Sequence, residues 1–169
     1  MKTLARPNDF GFVVDGTTIS TIEAIRGKFA KSFRNARKVY CASKHKWDWG
    51  YELVLMLDQH GTLPFASMSN IKENVQFKKL SMALKDCLIL ADRGFRGKDF
   101  NQRLWEEQQV KVKITGRKER QWIENVIGYM KEKLGLERIR KIRNDVTFHS
   151  VVFSIICAYN AIVLLDLPI

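Results

Sequence analysis

Cysteine, proline and histidine each occur only three times in the 169 residues. Cys41, Cys87 and Cys157 are odd in number and far apart, which argues against a disulfide framework and fits a reducing compartment. Cys87 and Cys157 sit in apolar runs and read as small core residues. Cys41 and His45 would make half of a zinc site, but no second pair completes it. No Pro/Gly/Ser-rich linker, low-complexity tract or internal repeat divides the chain. A single compact domain over residues 1–169 is therefore expected. There is no Ser-His-Asp or Cys-His set and no phosphate-cradling glycine loop. Met1 to Asn8 lacks the apolar core of a signal peptide. The long apolar stretch Val151 to Leu167 carries Ser154, Tyr159, Asn160 and Asp166 and is short for a membrane span. It reads as a helix buried against a sheet, with no membrane partner and a cytoplasmic location.

Acids are also scarce. Eighteen Asp and Glu face 29 Lys and Arg, giving a formal charge of +11 and a pI near 9.7. A basic domain of this kind is expected to meet a polyanion, with nucleic acid first and an anionic membrane surface second. The alternative is that the charge serves solubility only. Against that, it is clustered. Ile22 to Ala42 holds Arg26, Lys28, Lys31, Arg34, Arg37 and Lys38, with Glu23 as the lone acid. Lys44 and Lys46 follow, interleaved with Tyr40, Trp47 and Trp49, a mixture able to grip and stack nucleic acid. A solvated basic face with its aromatics turned into the core is the other reading. A second basic stretch, Lys111 to Arg143, includes Arg138, Arg140, Lys141 and Arg143 and either continues a DNA-facing surface or ends a solvated helix. His149 reads as a core or surface residue rather than a catalyst.

With 46% hydrophobic residues the chain can bury a core. Phe10 to Ser20 predicts a strand, with Asp15-Gly16 at a turn or bulge. Tyr51 to Asp58 and Thr62 to Ser69 predict an antiparallel hairpin about Gln59-His60-Gly61. Asn70 to Leu84 has helical spacing. Cys87 to Ala91 is a short continuous apolar run, as in a strand covered on both faces. Lys98 to Gln109 predicts a helix and Val110 to Thr115 an exposed-edge strand. Arg120 to Leu134 and Asp145 to Leu165 predict two last helices. The order implies an α/β fold: a mixed sheet of RNase H-like type with helices on both faces.

Three acids sit where these elements begin or end. Asp15 closes the first strand, Asp92 closes the buried strand, and Glu124 lies in the first turns of the helix after the last strand. Converging carboxylates repel and are tolerated when a divalent cation sits between them. Hard oxygen donors without a Cys or His cluster suit Mg²⁺ or Mn²⁺, and two such ions suit phosphodiester chemistry. Each acid also has a plain structural reading: an Asp-Gly turn, a cap before Arg93-Gly94, and a helix-dipole acid.

Local motifs go further. LADRGF, Leu90 to Phe95, resembles the second-aspartate motif of bacterial insertion-sequence transposases of the DDE type. Arg120 to Arg140 resembles their third-acid helix, with Arg120, Glu124 and Lys131 at the R, E and K offsets of the YREK signature. VVDGTT resembles the first-aspartate strand, Gly50-Tyr51-Glu52-Leu53 the strand after the basic insert, and Ala158 to Leu165 the closing helix. The resemblance implies an RNase H-like core and a catalytic, metal-binding set of Asp15, Asp92 and Glu124 with two Mg²⁺ or Mn²⁺ ions. Asp15 would bridge both ions, Asp92 would bind one and Glu124 the other. It implies DNA cleavage and strand transfer at insertion-sequence ends. Double-stranded DNA, as transposon ends and target, is the partner, with a homodimer on DNA in a bacterial cytoplasm near the nucleoid. Arg120 and Lys131 would contact phosphates; on a helix, residues four before and seven after Glu124 share nearly its face. Arg93, Arg117, Lys38, Lys44 and Lys46 complete the expected DNA contacts. Arg117 replaces the signature tyrosine, and the stretch from Thr115 to Glu124 is short. Members usually carry a separate N-terminal end-recognition region, expected to be absent here. A DNA-binding remnant without catalysis and another RNase H-like nuclease are the alternatives.

Overall fold

The computed structural model describes residues 11–23, 33, 35–41, 45–139, 142 and 144–167. The basic residues Arg26, Lys28, Lys31, Arg34, Lys44, Arg140, Lys141 and Arg143 lie outside them. In chain order the described elements are β1 (Phe12–Glu23), β2 (Arg37–Cys41), β3 (Lys46–Asp58), β4 (Phe65–Ser69), α1 (Glu73–Ser81), β5 (Leu88–Ala91), a 3-10 turn (Arg93–Phe95), α2 (Lys98–Gln108), β6 (Lys111–Ile114), α3 (Arg117–Glu132) and α4 (Asp145–Leu164).

All six strands join one sheet. β3 runs antiparallel to β1 along one edge; along its other edge it pairs first with β2 and then with β4. β5 lies parallel to β1, and β6 parallel to β5. Helical crossovers explain the parallel half, since only a long connection returns the chain in the same direction. An antiparallel half joined through β1 to a parallel half is the RNase H-like arrangement.

Side chains alternate across the strands and feed two cores. Val13, Leu53, Leu55, Leu57 and Leu90 pack on one face with Ile123, Ile127 and Met130 of α3 and Phe148, Val152 and Ile156 of α4. Val14, Val54, Met56, Ile89 and Ala91 pack on the other with Phe77 of α1 and Leu104 of α2. Helices thus cover both faces. β5, with Leu90 on one side and Ile89 and Ala91 on the other, is buried on both, as its continuous apolar run predicts.

Several boundaries differ from the sequence expectation. Asp15-Gly16 is neither a turn nor the end of a strand: Asp15 pairs with Leu55 and Gly16 with Val54, and β1 continues to Glu23. The irregularity falls instead between Ser20 and Ile22. Gly16 reads as a breaker, but here its missing Cβ makes room for the carboxyl of Glu73. The basic run through Arg37 and Lys38 carries no strand signal, yet β2 forms there, and its pairing carries β3 five residues before Tyr51. β4 starts at Phe65 because Pro64 lacks an N–H, while the N–H groups of Thr62 and Leu63 donate to Asp58 and Asn160. α1 is shorter than its periodicity suggests, and α3 begins three residues earlier.

Asn144 caps α4 by accepting from the Thr147 N–H at 2.8 Å. By length and composition α4 could cross a membrane. Here it buries only one stripe, Phe148, Val152, Ile156 and Tyr159. The opposite side, with Val146, Phe153 and Leu164, is exposed, so the expectation of a buried helix holds for one face only. Cys157 is on that exposed side, not in the core, whereas Cys87 is half-buried against the second core.

Candidate active site

Parallel pairing sets the first two acids side by side. Phe12 is in register with Ile89 and Val13 with Leu90; continued two residues further, the register sets Asp92 beside Asp15. Asp15 shares the sheet face of Leu55 and therefore points toward α3. The Gly16 N–H donates to its Oδ1 at 2.9 Å. Asp92 follows the last residue of β5 and accepts from the Gly94 N–H, capping the 3-10 turn. Its capping reading is therefore correct, and compatible with a place in the site. Glu124 comes from the middle of α3. The acid in the first turn is Glu119, so Glu124 is not a helix-dipole acid.

The three carboxylates meet at one guanidinium. Arg120 Nη1 lies 3.5 Å from Asp15 Oδ2 and 3.6 Å from Asp92 Oδ2; its Nη2 lies 3.5 Å from Glu124 Oε1. The Arg120 side chain is only 14% exposed, and its Nε is buried without a hydrogen-bond partner. Burial pushes the Asp15 carboxyl above its usual range; the Gly16 N–H and Arg120 oppose the rise, and Glu124 and Asp92 add to it. Three carboxylates face the buried Arg120 guanidinium and the exposed Arg117, so negative charge is in excess in the cluster. Arg117 lies 3.5 Å from Glu124 but is 88% exposed, so solvent screens it.

This balance and donor set fit a hard divalent cation. As the side chains stand, no three acidic, His or Cys groups among the described residues are close enough to share one ion. Arg120 holds the space between them. Its long, flexible stem allows the head to withdraw.

The other expected contacts divide. Arg93 is exposed in the turn beside Asp92, and Arg117 stands at the rim. Lys131 is two helical turns from Glu124, about 10 Å along the axis, and pairs with Glu137 at 3.1 Å. Lys38 shares the sheet face of Asp15, through its pairing with Trp49. Lys46 is on the opposite face, 3.5 Å from Asp48. His149 packs edge-on against Tyr51, at 4.8 Å between ring centroids, and takes no part in the acid cluster.

A second group of acids, with no motif to announce it, lies across the sheet. Glu73, in the first turn of α1, rests on Gly16. Burial, then the charge and hydrogen bond of Glu52, then Asp15 and Asp92, push its carboxyl up to about 7. Glu52 is held by Arg37 at 2.7 Å and by the Thr18 hydroxyl at 3.3 Å. The signal that finds Glu52 is strand register, which places it opposite Thr18; nothing local finds Glu73.

No protein-family model matches the chain, and no curated protein matches it. Among solved structures it is similar to a chain in the cryo-EM structure of the simian T-cell lymphotropic virus intasome in complex with PP2A regulatory subunit B56 gamma. Identity is 8%, the TM-score is 0.45, and the match covers 88% of this chain and 53% of that one. The chain thus spans about half the length of the chain it matches.

Proposed function

We propose that this chain is a DDE-type transposase catalytic domain, a metal-dependent endonuclease and strand transferase acting at insertion-sequence ends. The observation that carries the reading is the meeting of Asp15, Asp92 and Glu124, from β1, the end of β5 and α3, around Arg120. Asp15, Asp92 and Glu124 would hold two Mg²⁺ or Mn²⁺ ions, with Asp15 shared. When bound, the ions supply activation of the attacking oxygen and neutralisation of charge on the leaving oxygen. Arg120 stands in for that positive charge and, once withdrawn from the carboxylates, is placed to contact a phosphate. Arg93 and Arg117 flank the cluster and hold the backbone on either side, while Lys38 extends the cationic track along the same sheet face. Lys131 and Lys46 contribute more weakly, since each is paired with an acid. The partner is double-stranded DNA, the assembly a homodimer on DNA, and the location a bacterial cytoplasm. A second reading, a DNA-binding domain without catalysis, is favoured by Arg120 itself, which partly neutralises the cluster without metal.

The test is nicking of supercoiled and insertion-end duplex DNA with Mn²⁺ or Mg²⁺, beside melting curves with and without metal. Asp92→Asn is expected to abolish nicking and to leave duplex binding intact or stronger. Undiminished nicking by the variant removes Asp92 from the reaction. A wild-type chain that neither nicks DNA nor gains stability from Mn²⁺ sinks the enzymatic reading and leaves the second one.

A further inference from the structure

Beyond Tyr51 the sheet continues as β1, β3 and β2, away from the acid cluster. Lys38 pairs with Trp49 and Tyr40 with Trp47, so these four side chains share one face. By alternation along β3 it is the face of Tyr51, Leu53 and Leu55, and so of Asp15. Trp49 packs against the core, but the outer pair does not. Trp47 is 54% exposed and Tyr40 46%. Their rings lie 5.4 Å apart at 58°, and Lys38 Nζ sits 5.7 Å from the Trp47 ring centroid. The nearby acid, Asp48, is buried on the opposite face beside Lys46. Among the described residues, the outer patch thus joins open aromatic surface to the Lys38 cation.

The geometry points to a stacking platform for unpaired bases of single-stranded DNA, centred on Trp47 and Tyr40, with Lys38 on the phosphate. Each base presents a π face to an indole only when it is unstacked, whereas a duplex offers only edges and phosphates. The Lys38 ammonium beside these rings and the chain's formal charge of +11 match a polyanion. Trp47 is eight residues along β3 from Leu55, the partner of Asp15. That is about 26 Å, the length of about eight stacked nucleotides. A strand leaving the acid cluster along this face therefore reaches the platform. The inference deepens the DNA reading above and rests on it for the source of the strand.

Binding of the full chain is measured by fluorescence anisotropy with three labelled probes: an oligothymidylate of about twelve nucleotides, an abasic oligomer of equal charge, and a blunt duplex. The oligothymidylate is expected to bind roughly tenfold more tightly than the abasic oligomer. Trp47→Ala should remove that preference, and Trp47→Phe should keep most of it. Equal binding of the two single-stranded probes by the wild type overturns the platform, and is the result expected if a protein partner covers this face. Full preference retained in Trp47→Ala overturns it as well. The wild-type comparison decides even where Trp47→Ala fails to fold. Metal-dependent nicking by the wild type is scored in parallel. A chain that nicks but shows no preference loses the platform and keeps the acid site; a chain with the preference that does not nick loses the enzymatic reading alone.

Discussion

Gly16 and Glu73 offer a sharp test of how the acid-bearing strand is built. A Cβ at residue 16 would overlap Cδ and Oε1 of Glu73 and lie 2.8 Å from its Oε2. Glycine within a strand is otherwise a liability, costing about 0.5–1 kcal/mol relative to alanine. Gly16→Ala should therefore stabilise the protein wherever Glu73 is absent. With Glu73 present, the carboxyl at the far end of its flexible side chain must swing from a part-buried seat, at a cost of about 1 kcal/mol. The double-mutant cycle of Gly16→Ala with Glu73→Ala should then give a coupling of roughly 1 kcal/mol. In a domain of this size each kcal/mol moves Tm by about 2–4 °C, so alanine at 16 raises Tm in the Glu73→Ala background and fails to raise it where Glu73 is present. Urea unfolding at neutral pH, with unchanged m-values, measures the four corners. Gly50→Ala is the control. Its Cβ would overlap the Ile19 carbonyl oxygen and lie 3.0 Å from that carbonyl carbon, backbone that removal of Glu73 does not relieve. Additive effects of Gly16→Ala and Glu73→Ala would refute the packing argument, because no shared contact would then exist.

Two further outcomes follow from the charges. Arg120→Ala should cost about 2–4 kcal/mol without metal, as expected when carboxylates in a partly buried cluster lose their shared partner, and saturating Mn²⁺ should restore most of it; an equal loss with and without Mn²⁺ would show that Arg120 and the ion do not share a place. Glu73, whose folded value of about 7 exceeds the ordinary 4.5, binds more protons in the folded state between those pH values, so its contribution is fully present below about pH 4.5 and is lost as pH rises through 7. After allowance for solvent screening the loss is about 1–2 kcal/mol. Glu73→Gln should flatten the stability profile across that window, and a profile identical to the wild type would contradict it.

Much of this molecule is readable in one dimension. The apolar run from Leu88 to Ala91 predicts a strand buried on both faces, and the offsets from Arg120 to Glu124 place a cation and an acid one turn apart on α3. Those signals are local, since strand alternation and helical period act over a few residues. The convergence of Asp15, Asp92 and Glu124 needed more. It depends on the parallel register of β1 with β5 and on the seat of α3 against β1, contacts between residues distant in the chain. The sequence reads Phe10 to Ser20 as a strand with a turn or bulge at Asp15-Gly16. The structure carries the strand onward because Gly16 faces a side chain 57 positions away that needs the space. Residue types and offsets determined which acids could act together; packing across the sheet decided that they meet, and that a guanidinium holds the place between them.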